Sequence, residues 1–120
     1  FAEEGVLKKQ VMSIVTDSRG IDEPKDPQTC VPYLLYKHLA SAQEAAEMKS
    51  QLIGGGTGYG DIKKTLLAKI LTFFADARTR KIELQKKPDY IQDVLTEGAK
   101  KARKIAQKTM EEVREKVGLK

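Results

Sequence analysis

The sequence has no tryptophan, one cysteine and one histidine, and only 6% of its residues are aromatic. A single cysteine excludes a disulfide framework within the chain, and one histidine beside it cannot form a zinc cluster. We expect Cys30 to be a small packed or half-exposed thiol without a catalytic role, and His38 to be partly exposed or bonded to a carbonyl rather than a metal ligand. No apolar run approaches the roughly 20 residues of a membrane span, and no secretory leader is visible. These absences predict a cytoplasmic protein without a membrane partner.

The shortage of aromatic residues also limits the fold class. Leu, Ile, Val and Ala must fill most of the core, which suits packed helices better than a sheet. Apolar residues recur at steps of three and four along most of the chain, and no segment alternates with a period of two. At 120 residues the chain is one ordinary domain. We predict an all-α fold, a helical bundle with two long antiparallel helices and shorter helices packed on them.

The first half of the chain predicts short helices separated by a proline-rich segment. Apolar spacing indicates a helix over Glu3–Val15, followed by an extended stretch that contains Pro24 and Pro27. Pro32 suits the first turn of the next helix, whose Leu34, Leu35 and Leu39 are expected to face inward. A third helix begins after Ser41, which with Glu44 has the spacing of a capping box.

The second half predicts the two long helices, over Asp61–Leu84 and Asp89–Val117, separated by Pro88. Together these elements suggest a junction helix within residues 1–20, a linker over 21–31 and a helical domain over 32–120. Because the chain begins at Phe1 rather than methionine, inside an amphipathic pattern, we expect it to be part of a longer protein.

A glycine-rich segment, IGGGTGYGDIKK, lies between the third helix and the first long one. A phosphate-binding loop of the Walker type follows a strand and places a lysine after its last glycine. Here a helix precedes the glycines, and Asp61 follows Gly60. We therefore interpret the segment as a turn between helices. Lys63 and Lys64, which sit near the positive end of a helix dipole, remain unexplained unless the partner is an anion.

The chain is basic, with 22 Lys and Arg against 17 Asp and Glu and a net charge of +5. This charge is typical either of a solvated surface or of a protein that binds phosphate groups. A basic cluster in the last helix allows the same two interpretations; its members are Lys100, Lys101, Arg103 and Lys104.

Four segments, VMSIVTDSRG, EPKDPQTC, GGGTGYGDIKK and VLTEGAKKARKIAQKTMEEVREKVGL, resemble the C-terminal part of bacterial tryptophanyl-tRNA synthetases, in the same order and at the same spacing. In that family a Rossmann catalytic domain precedes a helical domain that receives the tRNA anticodon. The resemblance implies that Lys63, Asp17 and Arg19 lie near the anticodon bases, and Lys64, next to Lys63 at the helix start, is predicted to contact the anticodon with them. The charge of the basic cluster, rather than the resemblance, predicts that it contacts the RNA backbone. A carboxylate can accept from a cytosine amino group, and arginine can donate to a base or phosphate.

The same resemblance implies that the chemistry lies outside this chain. The chain lacks the family's catalytic signatures, so it should be inactive alone, with no catalytic, cofactor-binding or metal-binding residue. ATP and magnesium are implied for the parent enzyme, which should be a homodimer, whereas this chain should be monomeric. Its partners would be tRNA(Trp) and the upstream catalytic domain. The alternative is a helical protein-interaction module that binds no RNA. In either case the turn at Asp17 could also be held by local hydrogen bonds.

Overall fold

The computed structural model describes residues 2–119. Six helices form within this range: α1 (Glu4–Met12), α2 (Val31–Tyr36), α3 (Ala42–Gly54), α4 (Tyr59–Phe73), α5 (Ala75–Gln85) and α6 (Pro88–Lys116). The same range contains no strand. The all-α prediction is confirmed. None of these helices is both long and apolar enough to cross a membrane.

Helix α3 begins as the sequence predicts. The Ser41 hydroxyl accepts from the Glu44 backbone N–H at 3.3 Å, and the Glu44 carboxylate accepts from the Ser41 backbone N–H at 2.7 Å. Each bond satisfies a backbone donor that the first turn of a helix leaves without a partner. The Glu44 carboxylate also contacts Lys69 of α4 at 2.8 Å, so the cap links two helices.

The chain divides into two compact units, of which the first ends at Thr79 and the second begins at Arg80. In the first unit both α1 and α2 pack against α4. Its core comprises Val11, Cys30, Tyr33, Tyr36, Met48, Leu52, Ile62 and Leu66. Leu52 and Leu66 have no exposed surface, which places the C-terminal end of α3 and the middle of α4 at the centre of this core.

Helix α2 turns a different face inward from the one predicted. Tyr33 and Tyr36 are buried, whereas Leu35 is 46% exposed and Leu34 and Leu39 are only partly covered. The helix has six residues, so its apolar pattern fits more than one rotation about the axis. The larger tyrosine side chains reach the core and take the inward face.

The long helix predicted over Asp61–Leu84 is two helices in the structure. Helix α4 begins two residues earlier, at Tyr59, and ends at Phe73, and α5 begins at Ala75. Arg78 donates to the backbone carbonyl of Leu71, one of the last carbonyls of α4, and so stabilises the break. Phe73 lies beside this break and is 57% exposed rather than part of the core.

The second unit contains α6, a helix of 29 residues none of which is buried. Its apolar side chains recur on one side, which we call the apolar face of α6: Ile91, Val94, Leu95, Ala102, Ile105 and Val113. Val94, Leu95 and Ile105 are 53%, 62% and 70% exposed. The antiparallel pairing of the predicted long helices and the division at residues 1–20, 21–31 and 32–120 stay predictions.

Candidate nucleic-acid interface

The segment that follows α1 forms a turn around Asp17. The Asp17 carboxylate accepts from the backbone N–H of Arg19 at 3.1 Å, and the two side chains form an ion pair at 3.6 Å. These side chains are 42% and 47% exposed, so a ligand can reach both. The local hydrogen bonding expected at this turn is present, and it leaves carboxylate surface available to a partner.

Tyr59, the first residue of α4, stabilises the charged form of Asp17. Hydrogen bonding with the Tyr59 hydroxyl lowers the pKa of Asp17, and the backbone N–H and the charge of Arg19 lower it further. Burial of the phenol and its interaction with Asp17 raise the pKa of Tyr59. Near neutral pH the pair therefore consists of a carboxylate and a neutral phenol. A carboxylate of this kind accepts hydrogen bonds and can read an amino group.

Lys63 lies four residues after Tyr59 and so on the same side of α4. Its ammonium donates to the backbone carbonyl of Met12, the last residue of α1, at 3.2 Å. Tyr59 thus contacts the Asp17 turn while Lys63 contacts the end of the helix that leads into it. The first turns of α4 therefore contact both the Asp17 turn and the end of α1, and whether Lys63 and Asp17 bind an anticodon stays a prediction.

Because α4 begins at Tyr59, Lys63 and Lys64 lie further from the start of the helix than the sequence predicts. Lys63 and Lys64 are the fifth and sixth residues of the helix, beyond the first turn, where the dipole effect has largely fallen off. Lys64 also pairs with Asp61 at 3.0 Å, and both side chains are more than 60% exposed. Neither lysine therefore needs an anion to explain its position, although both remain accessible to one.

Arg19 is held by the chain as well as exposed to solvent. Its guanidinium Nη1 donates to the backbone carbonyl of Pro24 at 2.8 Å. Because arginine has five donor positions, this bond and the Asp17 ion pair leave others for a base or a phosphate. The turn therefore fixes the direction of the guanidinium without using all of its donors.

The four basic residues predicted to contact the RNA backbone lie on α6, in the second unit. All are exposed, and Lys100 pairs with Glu97 at 2.8 Å. Lys101 and Lys104 continue to Lys108 at steps of three and four, so these three share a side of the helix. Lys101 lies seven residues after Val94 and four before Ile105, so this side borders the apolar face of α6. Whether the cluster contacts RNA stays a prediction.

Two residues of the Asp17 region were not singled out from the sequence as parts of a site. Tyr59 lies in the glycine-rich segment, which the sequence predicts to be a turn between helices, and Lys25 stands between two prolines in the predicted linker. Lys25 is 2% exposed and is the buried charged residue of the range 2–119. No local pattern reveals such a lysine, because its partners are carbonyls that only the folded turn brings together.

The cysteine and the histidine have the environments expected from the sequence. Cys30 is 4% exposed, and burial raises the pKa of its thiol, which keeps it protonated and poorly nucleophilic. His38 is exposed after the end of α2. Over residues 2–119 there is no group of three or more His, Cys, Asp or Glu side chains placed to hold a metal ion.

The chain is similar over nearly all of its length to tryptophan–tRNA ligases. It is 44% identical to that of Fusobacterium nucleatum and 40% identical to that of Rhodopirellula baltica, in each case over 99% of this chain. It spans only 36% and 37% of the length of these two curated relatives. No protein-family profile matches the sequence.

A solved structure gives the same correspondence in three dimensions. The crystal structure of tryptophanyl-tRNA synthetase from Campylobacter jejuni, complexed with ADP and tryptophan, superposes with a TM-score of 0.86 at 39% identity. The alignment covers 99% of this chain and 37% of that one. The resemblance of this chain to the C-terminal part of bacterial tryptophanyl-tRNA synthetases is therefore confirmed in both sequence and structure.

Proposed function

We propose that this chain is the helical domain of a tryptophan–tRNA ligase that recognises the anticodon of tRNA(Trp) and positions the tRNA for aminoacylation by an upstream Rossmann domain. The observation that carries the proposal is the surface where α4 meets the Asp17 turn. There the ionised Asp17 carboxylate contacts Tyr59 and pairs with the half-exposed Arg19 guanidinium. The Lys63 ammonium, one turn of α4 after Tyr59, contacts the end of α1. Splayed anticodon bases offer donor and acceptor edges, and their backbone offers phosphates.

The roles of the charged residues follow from their contacts. Asp17 would accept from a base amino group, while Arg19 and Lys63 would donate to base edges or phosphates. Lys64 would make a more peripheral contact, because its ammonium is already paired with Asp61. The basic cluster of α6 would follow the RNA backbone through phosphate contacts, which supply affinity but no sequence information.

The remaining partners belong to the parent enzyme. ATP and magnesium would bind in the catalytic portion, outside this chain, which would supply no ligand to them. The parent enzyme would be a cytoplasmic homodimer, and this chain alone a monomer. The chain's own contribution to aminoacylation would be to bind and orient the tRNA.

The apolar face of α6 supports the upstream catalytic domain as an intramolecular partner. Isolated apolar residues on a surface need no explanation, but a continuous strip along one helix normally marks a contact. The relatives that share this helix are more than twice as long as this chain, which spans 36% or 37% of them. Their additional sequence supplies the occupant that we propose for this face.

Binding to an anticodon stem-loop tests the proposal directly. We expect this chain to bind a stem-loop of tRNA(Trp) more tightly than one whose three anticodon bases are replaced, in a fluorescence anisotropy titration. Affinity should fall steeply with salt, with a log–log slope of about −3 to −4 if five phosphates are contacted. Lys63→Ala should weaken binding to the native stem-loop.

The alternative, a protein-interaction module, is supported by the same exposed apolar face and predicts the opposite result. Such a module would show no preference for the native anticodon and little change in partner binding with salt. Equal affinity for both stem-loops would therefore overturn the proposal in favour of this alternative.

A further inference from the structure

We propose that Lys25 is a positioning residue for tRNA recognition, which holds the turn that carries Asp17 and Arg19 in its binding conformation without touching the RNA. This inference rests on the proposed function, because it assigns Lys25 a role at the same site. Three sets of contacts carry it: the buried ammonium, the attachment of the turn to the rest of the unit, and the link through Tyr59.

Backbone carbonyls of the turn accept all three hydrogen bonds that the Lys25 ammonium can donate. It donates to the backbone carbonyls of Gly20, Ile21 and Glu23 at 2.8, 3.1 and 2.9 Å. A lysine ammonium has three donor positions, so all of them are satisfied by backbone. With 2% of its surface exposed, Lys25 is not placed to touch a phosphate.

Three backbone carbonyls of the turn therefore accept from the same nitrogen atom. Without the ammonium, the carbonyls of Gly20 and Glu23 would lose this donor and that of Ile21 would keep the Gly56 N–H, and the loss of a donor is costly away from water. The bond from Arg19 to the carbonyl of Pro24, next to Lys25, closes the same turn from the opposite end. The direction of the Arg19 guanidinium therefore depends on a backbone conformation that Lys25 stabilises.

The turn is also attached to the helices at two points. The backbone N–H of Lys25 donates to the carbonyl of Leu52 near the end of α3 at 2.7 Å, and that of Gly56 donates to the carbonyl of Ile21 at 2.9 Å. Because Leu52 is completely buried, the turn is anchored to the core of the first unit. The ammonium and these two bonds together fix its position as well as its shape.

Tyr59 links Lys25 to the charged residues of the candidate site. The Lys25 ammonium lies 5.3 Å from the centroid of the Tyr59 ring, within the range of a cation–π interaction. The hydroxyl of the same ring stabilises the Asp17 carboxylate. Lys25 thus acts on Arg19 through the backbone of the turn and on Asp17 through Tyr59.

The test uses Lys25→Met in the full-length ligase, because methionine keeps the length of the side chain and removes its three donors. We expect the KM for tRNA(Trp) to rise about tenfold, since displacing contact groups by about an ångström has effects of this order or larger. Tryptophan-dependent ATP–pyrophosphate exchange should be unchanged. Lys8→Met, which removes an equal charge from an exposed position of α1, is the control for net charge and should leave the KM near its wild-type value.

A double-mutant cycle separates positioning from a general loss of stability. Assays are run at least 15 °C below the unfolding temperature of each variant, so that all are folded. If Lys25 acts through the charged pair, Lys25→Met should have little further effect on the KM once Asp17 and Arg19 are both alanine. An equal effect in both backgrounds would assign Lys25 to the fold alone and overturn the inference.

The same cycle distinguishes this inference from the proposed function. If the alanine variant of Asp17 and Arg19 itself charges tRNA(Trp) with a wild-type KM, the proposed anticodon site is wrong. If that variant is impaired and Lys25→Met is not, the site stands and only the role of Lys25 fails.

Discussion

Lys63 has both a structural and a proposed functional contact, and one substitution can separate them. In the full-length enzyme we expect Lys63→Ala to weaken recognition of tRNA(Trp) by about 1–3 kcal/mol, the range for a specific contact. Amino-acid activation should be unchanged. Loss of the bond to the Met12 carbonyl should lower the free energy of unfolding by about 1 kcal/mol or less, because the bond is exposed.

Charging kinetics and thermal unfolding should be measured on the same preparation. The matched control is Lys49→Ala, which removes an exposed lysine of α3 that is not assigned to the candidate site. Wild-type charging by a folded Lys63→Ala variant would remove this lysine from the site.

Glu44 should make the stability of the first unit depend on acidity. Lys69 and the Ser41 cap lower the pKa of Glu44 to about 2. A carboxyl whose pKa is lower in the folded chain stabilises the fold above its unfolded value of about 4.3, and this contribution is lost as the pH falls toward 2. The unfolding temperature of wild type should therefore decline more between pH 4.5 and 2 than that of Glu44→Gln.

The control for this measurement is Glu47→Gln on the same helix, which keeps the contact between Glu44 and Lys69. Its decline with acid should follow that of wild type. Parallel curves for wild type and Glu44→Gln would show that the cap and the ion pair contribute no acid-dependent stability.

The residues of the candidate site were predictable to different degrees. Asp17, Arg19 and Lys63 follow from a resemblance between aligned segments, and the structure places Asp17 and Lys63 near the same end of α4. Lys25 could not be found in this way. A lysine between prolines is ordinarily solvated, and its burial depends on carbonyls that converge only after the turn has docked on α3.

At the scale of whole elements, local signals were more informative than apolar spacing. The start of α3 was predicted correctly because Ser41 and Glu44 interact within one turn of helix. The break between α4 and α5 was missed because no glycine or proline marks it and apolar residues continue across it. The inward face of α2 was wrong because six residues do not define one rotation.

The apolar face of α6 gives a prediction for this element. In the full-length protein, Ile105→Asp should lower the free energy of unfolding by about 1.5–3 kcal/mol more than Gln107→Asp, the contribution of burying an isoleucine side chain. Gln107 lies on the opposite side of the helix, so its substitution controls for helix propensity and charge. In this chain alone the two variants should be alike, because Ile105 is 70% exposed.

Calorimetry or denaturant titration measures the free energy of unfolding of both variants, Ile105→Asp and Gln107→Asp, in the full-length protein and in this chain alone. Equal effects in the full-length protein would contradict a docked face. Conversion of a dimer into monomers by Ile105→Asp, with an unchanged unfolding temperature, would instead assign the face to a second copy of the chain.

For the molecule as a whole, we predict that this chain alone catalyses no tryptophan-dependent ATP–pyrophosphate exchange, because the family's catalytic signatures are absent from its sequence. Exchange should be measured beside the full-length enzyme at equal molar concentration. Activity of the pure chain above background would show that the chemistry is not confined to the upstream portion.

The glycine loop between α3 and α4 has an uneven tolerance to substitution. At Gly55 the backbone has a φ of +76°, and an added Cβ would lie 2.4 Å from the carbonyl oxygen of Asp22. Gly54 and Gly60 have open space around them and ordinary φ values, and both lie within helices. Alanine at Gly54 or Gly60 should therefore raise stability by up to about 1 kcal/mol, whereas alanine at Gly55 should displace the Asp22 backbone and lower it. Gly56 has a φ of +79° and open space, so alanine there is strained by the backbone alone. A segment whose composition suggests uniform flexibility thus contains two sites that require glycine and two at which alanine can raise stability.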